Sequence, residues 1–175
     1  FDICSLKAPV EGILRKLGLR AVVAVNRFAT DTDREVDAVL DHCAGAGVRG
    51  AVHTLHADGG KGGEALAREI VEATKGGDPS LRPVYRDGDP FEEKVAKVAT
   101  EIYAAGEIKY DAAALEDLER IRNAGLDGLP VCIAKTQLSL SDDETLRGAP
   151  KGWVLEIRGV RPSTGAGFLV VLAGE

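Results

Sequence analysis

The chain has 175 residues, enough for one domain with a sizeable core or for two smaller domains. Its hydrophobic content of 45% and charged content of 29% are ordinary for a soluble globular protein. A net charge of -6 argues against a nucleic-acid groove, because phosphate binding needs a basic surface. The apolar runs are too short to cross a bilayer. From the charge and from these short runs together, we expect neither nucleic acid nor a membrane as a partner.

The three cysteines, Cys4, Cys43 and Cys132, are odd in number, widely separated and without the spacing of metal ligands. They are typical of reduced thiols in the cytoplasm, where we expect the protein to reside. The first twenty residues lack the apolar segment of a signal peptide. Because the chain begins at Phe1 and contains no methionine, we expect it to be part of a longer protein.

The first half of the chain predicts a β-α-β arrangement. Continuous apolar character predicts a buried strand over Ala21–Asn26, and a second strand is predicted over Gly50–Leu55. Helical periodicity predicts a helix over Arg34–Ala44 between them, and a second helix over Glu64–Thr74 after a glycine-rich turn. The residues expected to face inward are Val36, Val39, Leu40 and Cys43 in the first helix, and Leu66, Ile70 and Val71 in the second. Strands that alternate with helices indicate a parallel sheet.

The second half begins after an internal boundary, because Gly, Pro and Asp are concentrated over Gly76–Pro90. Helices are then predicted over Phe91–Ala105 and Asp111–Ala124, followed by a strand over Pro130–Ala134 and two closing strands. Alternating acidic and basic residues in both helices predict solvated helical faces.

These elements predict an α/β fold class, with a parallel-sheet β-α-β unit followed by a smaller α+β C-terminal region. The predicted divisions are residues 1–17 as an edge, 18–76 as the β-α-β unit, 77–90 as a linker and 91–175 as the C-terminal region.

The glycine-rich turn is the first candidate site, and it comprises Gly59, Gly60, Lys61 and Gly62. A strand, a glycine-rich turn and a helix can present backbone N–H groups to an anion. The turn is not a nucleotide-binding P-loop, however, since Lys61 is followed by glycine rather than by the Ser or Thr that binds magnesium. Judged by itself, the turn is more probable as a flexible connection than as an anion site.

A second candidate follows the first predicted strand, where Asn26 and Phe28 lie at the edge at which α/β sheets bind ligands. The residues alone leave two interpretations of Phe28, an exposed ligand contact or packing under its own loop. His56 has no evident catalytic partner, and together with His42 and His53 it does not form a convincing zinc site. We therefore assign no metal site and no catalytic residue in this chain.

A third candidate is Lys135, Thr136 and Gln137, which leave the end of a predicted strand and are either ligand contacts or structural residues. Paired acids elsewhere are explained by helix capping: Asp31 and Asp33 precede a predicted helix, and the acids from residue 142 onward are expected to open a short helical turn.

The segments Lys135–Asp143 and Arg161–Phe168 (KTQLSLSDD and RPSTGAGF) resemble the formate–tetrahydrofolate ligase family over a long, gap-free stretch. The similarity extends from about Gly18 to Glu175. It implies an ATP-dependent ligation of formate to tetrahydrofolate, in which formate is phosphorylated to formyl phosphate and N10 of the folate then attacks it. The family also implies Mg²⁺, activation by a monovalent cation, and a homotetramer.

The resemblance carries two aromatic positions onto this chain. Phe28 matches a phenylalanine of the family that stacks on one side of the pterin ring, and His56 falls where the family has the tryptophan on the other side. The turn over Gly59–Gly62 matches a loop beside the folate pocket. A histidine offers a smaller stacking surface than tryptophan and can become charged, so weaker folate affinity is expected.

The family's P-loop and the cationic residues that hold formyl phosphate have no counterpart in this sequence, so we expect the 175 residues alone to be inactive. The substitution at His56 leaves open a non-catalytic homologue or scaffold that retains the fold. A guanine-nucleotide-binding protein is a weaker alternative, because Ala24–Asp31 has Arg27 and Ala29 where that class has lysine and aspartate.

Overall fold

The computed structural model describes residues 16–75, 81–136, 139–146 and 148–174. It divides into two compact units, Phe1–Arg82 and Pro83–Glu175. The division falls within residues 77–90. In the described parts of the chain, no helix is both long and apolar enough to span a membrane.

The first unit is built on two neighbouring parallel strands. Its elements, in chain order, are β1 (Val22–Asn26), α1 (Asp33–Gly45), β2 (Arg49–His53), the short α2 (Leu55–Asp58), a 3-10 turn (Gly59–Gly63) and α3 (Glu64–Thr74). Val22 pairs with Arg49 at the start of the strands, and Asn26 pairs with His53 at their carboxyl ends. This arrangement confirms the predicted parallel β-α-β unit.

Helix α1 begins with a reciprocal cap. Glu35 N donates to Thr32 Oγ1 at 3.3 Å, while Thr32 N donates to Glu35 Oε2 at 2.9 Å. Val36, Val39 and Cys43 are buried on one face, as predicted. The helix approaches β2 closely, since a Cβ added at Gly50 would lie 3.0 Å from Leu40 Cδ2.

Helix α3 differs from its prediction. Leu66 is partly buried, but Ile70 and Val71 are 47% and 54% exposed. Neighbouring strands lie about 5 Å apart, so two strands present a surface about as wide as a single helix with its side chains. The β1–β2 pair covers only part of the apolar face that the sequence assigns to this helix.

The second unit contains α4 (Phe91–Lys97) with a π-helical turn (Val98–Ile102), β3 (Glu107–Tyr110), α5 (Ala112–Asn123), β4 (Val131–Ala134), β5 (Val154–Ser163) and β6 (Phe168–Ala173). Its four strands form one mixed sheet with the order β3-β5-β6-β4. Strands β5 and β6 are antiparallel, and each outer strand runs parallel to its neighbour. The core of this unit includes Phe91, Val95, Leu118, Leu155, Ile157, Leu169 and Val171. This unit agrees with the predicted α+β region, although β3 was not predicted.

Lys94 corrects the prediction that charged residues of the third predicted helix all face solvent. Its side chain is fully buried. The ammonium nitrogen donates to the backbone carbonyls of Gly128 at 2.6 Å and Leu129 at 3.2 Å, and it lies 5.9 Å from the ring centroid of Tyr85. Backbone oxygens and an aromatic face thus replace the water that an exposed lysine would bind.

Candidate functional site

Phe28 lies just beyond the carboxyl end of β1, on a short turn closed by Asp31. The Phe28 amide donates to Asp31 Oδ2 at 2.7 Å, and the Asp31 amide donates to Phe28 O at 3.0 Å. These two bonds fix the backbone of Phe28 while its ring remains 48% exposed. Asp31 therefore holds the turn, whereas the sequence predicted only helix capping for this residue.

Arg27, which directly follows β1, contacts both α1 and the end of β2. The Arg27 guanidinium pairs with Asp33 Oδ1 at 2.6 Å, and the Arg27 amide donates to His53 O at 3.0 Å. Hydrogen bonds from the backbone and the hydroxyl of Thr32 lower the pKa of Glu35. The N-cap of α1 is thus Thr32, while Asp33 forms an ion pair beside the turn.

His56 lies on the short helix α2, directly after β2. The Thr54 hydroxyl donates to Asp58 Oδ2 at 2.6 Å, and the Asp58 amide donates to Thr54 O at 2.8 Å. The Thr54 amide in turn donates to Gly62 O at 3.0 Å. Residues at both ends of α2 and in the glycine-rich turn are therefore tied to one another.

The two turns bring the rings of Phe28 and His56 together. Their centroids lie 5.8 Å apart, and the ring planes are inclined by 52°. Both residues are exposed, so the pair forms an accessible aromatic surface at the carboxyl ends of β1 and β2. This is the edge at which open α/β sheets bind ligands.

The predicted glycine loop is a 3-10 turn over Gly59–Gly63. Gly59 has a φ of 57°, a conformation that favours glycine. Lys61 is exposed at the centre of the turn. Asn26, the remaining predicted residue of this site, is exposed at the end of β1.

The three histidines do not converge on a metal site. His42 lies in the last turn of α1, and His53 ends β2. The buried atoms His42 Nε2 and His53 Nδ1 have no hydrogen-bond partner in the described structure. Within the described ranges, no group of three His, Cys, Asp or Glu residues is arranged to hold a metal ion.

In the second unit, the candidate residues Lys135 and Thr136 follow β4, whereas Gln137 lies outside the described residues. The Lys135 ammonium donates to Thr136 O at 3.2 Å and also to Ser139 O, and it lies 5.0 Å from the Tyr103 ring centroid. Burial lowers the pKa of Lys135. Because its ammonium is bound within the unit, the geometry favours the structural interpretation of this residue.

The acids that follow do not open a helical turn, contrary to prediction. Asp142 Oδ2 accepts a hydrogen bond from Glu156 N at 2.8 Å, and Asp143 Oδ1 accepts one from Thr145 N at 2.8 Å. These side chains instead stabilise an irregular segment by bonding to its backbone and to β5.

Sequence reasoning missed Asp31, Thr54 and Asp58, which hold the two ring-bearing turns. The sequence does contain a signal for each of the three. An Asp side chain commonly closes a turn by accepting from a nearby backbone amide, and the Thr54–Asp58 spacing of four residues suits a contact across one helical turn.

Comparison with known proteins gives a consistent family. A formate–tetrahydrofolate ligase family model matches residues 3–175, which includes most of the edge that the sequence left outside the resemblance. The chain is 49% identical over 164 residues to a formate–tetrahydrofolate ligase of Haloarcula marismortui, covering 93% of this chain and 30% of that relative. Identity is 46% over 164 residues to the ligase of Haloquadratum walsbyi, covering 93% of this chain and 28% of the relative.

A third relative, the formate–tetrahydrofolate ligase of Campylobacter curvus, is 42% identical over 173 residues, which cover 99% of this chain and 31% of that relative. The chain thus spans about 30% of the length of the relatives it matches. Since the family model covers nearly every residue, the chain belongs to the formate–tetrahydrofolate ligase family.

Proposed function

We propose that this chain is part of an enzyme that ligates formate to tetrahydrofolate with ATP, by way of formyl phosphate, to give 10-formyltetrahydrofolate. The relatives' name supports the reaction, and the paired rings of Phe28 and His56 support a place for the folate. The pyrimidine ring of the tetrahydrofolate pterin is flat and polar at its edges, so aromatic side chains can bind it by stacking. The exposed ring pair is the observation that carries this assignment.

The present ring spacing requires a movement on binding. A flat ring held between two parallel rings needs them about 7 Å apart, because each stacked pair is separated by about 3.5 Å. The centroids of Phe28 and His56 are 5.8 Å apart, and their planes are inclined. We propose that one of the two exposed side chains rotates to admit the pterin, while the turns that carry them keep their conformation.

We propose that the whole protein also uses Mg²⁺ and a monovalent cation, resides in the cytoplasm and forms a tetramer. The described residues contain no cluster of three His, Cys, Asp or Glu residues suited to a metal, and Lys61 is followed by Gly62 rather than by a hydroxyl residue. We therefore assign no step of the reaction through a metal to this chain.

The isolated 175-residue chain is proposed to lack ligase activity, since it contains no counterpart of the P-loop. Incubation with ATP, formate and tetrahydrofolate should yield neither ADP nor 10-formyltetrahydrofolate above the level without protein. Appearance of both products in stoichiometric amounts would overturn this part of the proposal.

Thermal unfolding with and without tetrahydrofolate tests the proposed folate site. A ligand that binds the folded chain raises its midpoint temperature. We expect Phe28→Ala to reduce this rise and Leu115→Ala, which truncates an exposed apolar residue of the second unit, to retain it in full. An undiminished rise in Phe28→Ala would exclude Phe28 from the site.

A non-catalytic homologue is the second candidate, because His56 stands where the family resemblance implies a tryptophan. If that homologue has also lost folate binding, tetrahydrofolate would not raise the midpoint temperature of the unmodified chain, and His56→Trp would not restore the effect. A rise in His56→Trp alone would instead indicate that the site is intact except for this ring.

A further inference from the structure

We propose that Thr54 and Gly62 are positioning residues that fix the His56 ring beside Phe28. Their expected effect on folate binding rests on the proposed function. Their effect on ring geometry does not, and it can be measured without a ligand.

All the polar groups of Thr54 are used to close the turn that carries His56. Its amide donates to Gly62 O at 3.0 Å, and its hydroxyl donates to Asp58 Oδ2 at 2.6 Å. Its carbonyl accepts from the amides of Ala57 at 3.0 Å and Asp58 at 2.8 Å. His56 therefore lies within a segment closed at both ends through one threonine.

Gly62 is the residue that lets this segment close. A Cβ added at Gly62 would lie 2.6 Å from the carbonyl carbon, the carbonyl oxygen and the hydroxyl oxygen of Thr54. This is closer than side-chain carbons approach in real structures, and two of the three atoms belong to the backbone. Alanine at this position must push Thr54 and the glycine-rich turn apart, which would displace α2 and its histidine.

The neighbouring glycines show that the steric need for glycine is particular to Gly62 and is not shared by every glycine of the turn. A Cβ added at Gly60 would meet nothing within 4 Å, and Gly60 does not require a positive φ. The three atoms nearest to a Cβ added at Gly63 all belong to the Leu55 side chain, the closest being Cδ2 at 2.6 Å, so a side chain rather than backbone would have to move. Gly60→Ala is therefore a matched control two residues from Gly62→Ala, with the same added methyl group and no contact to Thr54.

Nuclear magnetic resonance of the imidazole C–H groups measures the ring geometry directly. The ring current of Phe28 shifts the His56 signals, and Phe28→Leu defines the values without it. We expect Gly62→Ala and Thr54→Val to move the His56 signals toward those values. Thr54→Ser, which keeps the hydroxyl, and Gly60→Ala should retain the signals of the unmodified chain.

The signals of His42 and His53 show in the same spectra whether each variant is folded. If Gly62→Ala loses their dispersion, Thr54→Val and Thr54→Ser decide the question, because Thr54→Val replaces the hydroxyl by a methyl group and Thr54→Ser keeps it. Unchanged His56 signals in folded Gly62→Ala, or in Thr54→Val, would overturn the positioning role.

Calorimetric titration with tetrahydrofolate then separates this inference from the proposed function. Loss of one stacked aromatic ring weakens binding by roughly 10- to 100-fold, so we expect Gly62→Ala to bind tetrahydrofolate about that much more weakly than the unmodified chain. Shifted His56 signals with equal affinity would support positioning and contradict a folate contact at His56. Unshifted signals with weakened binding would contradict positioning and leave the proposed folate site supported.

Discussion

Phe28 and His56 follow neighbouring parallel strands, and their ring centroids lie 5.8 Å apart although 28 positions separate them in the sequence. Parallel pairing of β1 with β2 places both carboxyl ends at one edge, so residues that follow the strands become neighbours. Each ring is carried by a turn with its own side-chain bond, from Asp31 on one side and Thr54 on the other. The aromatic surface of Phe28 and His56 is thus formed by two short turns, each stabilised by its own side-chain hydrogen bond.

Replacing Asp31 tests the brace under Phe28. Asp31→Ala removes the acceptor of the Phe28 amide, which lies 2.7 Å from Asp31 Oδ2. We expect faster hydrogen exchange at the Phe28 amide and a loss of about 1 kcal/mol in the free energy of unfolding, typical of one hydrogen bond. Asp31→Asn keeps an oxygen acceptor and should lose less. Equal exchange rates in the unmodified chain and Asp31→Ala would show that this bond does not hold the turn.

Lys94 should stabilise the second unit through its backbone contacts. Lys94→Met keeps most of the buried aliphatic volume but removes the donor to Gly128 O and Leu129 O. We expect the free energy of unfolding in urea to fall by about 1.5–3 kcal/mol, the range for hydrogen bonds that involve a charged group.

Lys109→Met is the control for this loss, because Lys109 is exposed and its ion pair with Glu107 is 3.8 Å long. Surface changes of this kind usually stay within about 0.5 kcal/mol. Equal losses of unfolding free energy in Lys94→Met and Lys109→Met would show that the buried ammonium of Lys94 does not stabilise the second unit.

The capping box of α1 should make stability depend on acid pH. The pKa of Glu35 is lowered by hydrogen bonds from the Thr32 backbone and side chain. A carboxyl group whose pKa is lower in the folded state contributes its stability above its unfolded pKa of about 4.3. That contribution is lost as the pH falls through the folded pKa.

Urea unfolding between about pH 6 and pH 2 measures this contribution, because the range spans the titration of an ordinary glutamate. Glu35→Gln should be less stable than the unmodified chain at the upper end, and the difference should shrink toward the lower end. A difference between the two proteins that is constant across the range would argue against linkage through Glu35.

The sequence predicts much of the fold because its signals are local. Thr32 marks the start of α1 because it caps the helix, and the helical spacing of Val36, Val39 and Cys43 identifies the face that is buried. Strand β3, over Glu107–Tyr110, has only four residues and exists through pairing with β5, which lies over forty residues later. The exposure of Ile70 and Val71 likewise depends on how many strands lie beneath α3, which helical periodicity does not encode.

The candidate site likewise combines features that local sequence signals predict with features that depend on residues brought together by the fold. Phe28 and His56 could be chosen as candidates because each follows a predicted parallel strand, at the edge where α/β sheets bind ligands. The bonds of Asp31 and Thr54 were not predicted, because helix capping already explained Asp31 and the four-residue spacing of Thr54 and Asp58 becomes meaningful only once a helix is known to lie there. The need for glycine at Gly62 arises from a backbone eight residues earlier, which only the folded turn brings within 2.6 Å of its added Cβ.

Calorimetric titration of the chain with tetrahydrofolate, in parallel with Phe28→Ala and His56→Trp, tests the folate site most directly. Loss of the Phe28 ring should weaken binding by about 1–3 kcal/mol, the range for stacking of a flat heterocycle on an aromatic side chain. The larger tryptophan surface should strengthen binding by about 0.5–1.5 kcal/mol. Unchanged affinity in both variants, with Leu115→Ala as the reference, would contradict a pterin site between these two residues.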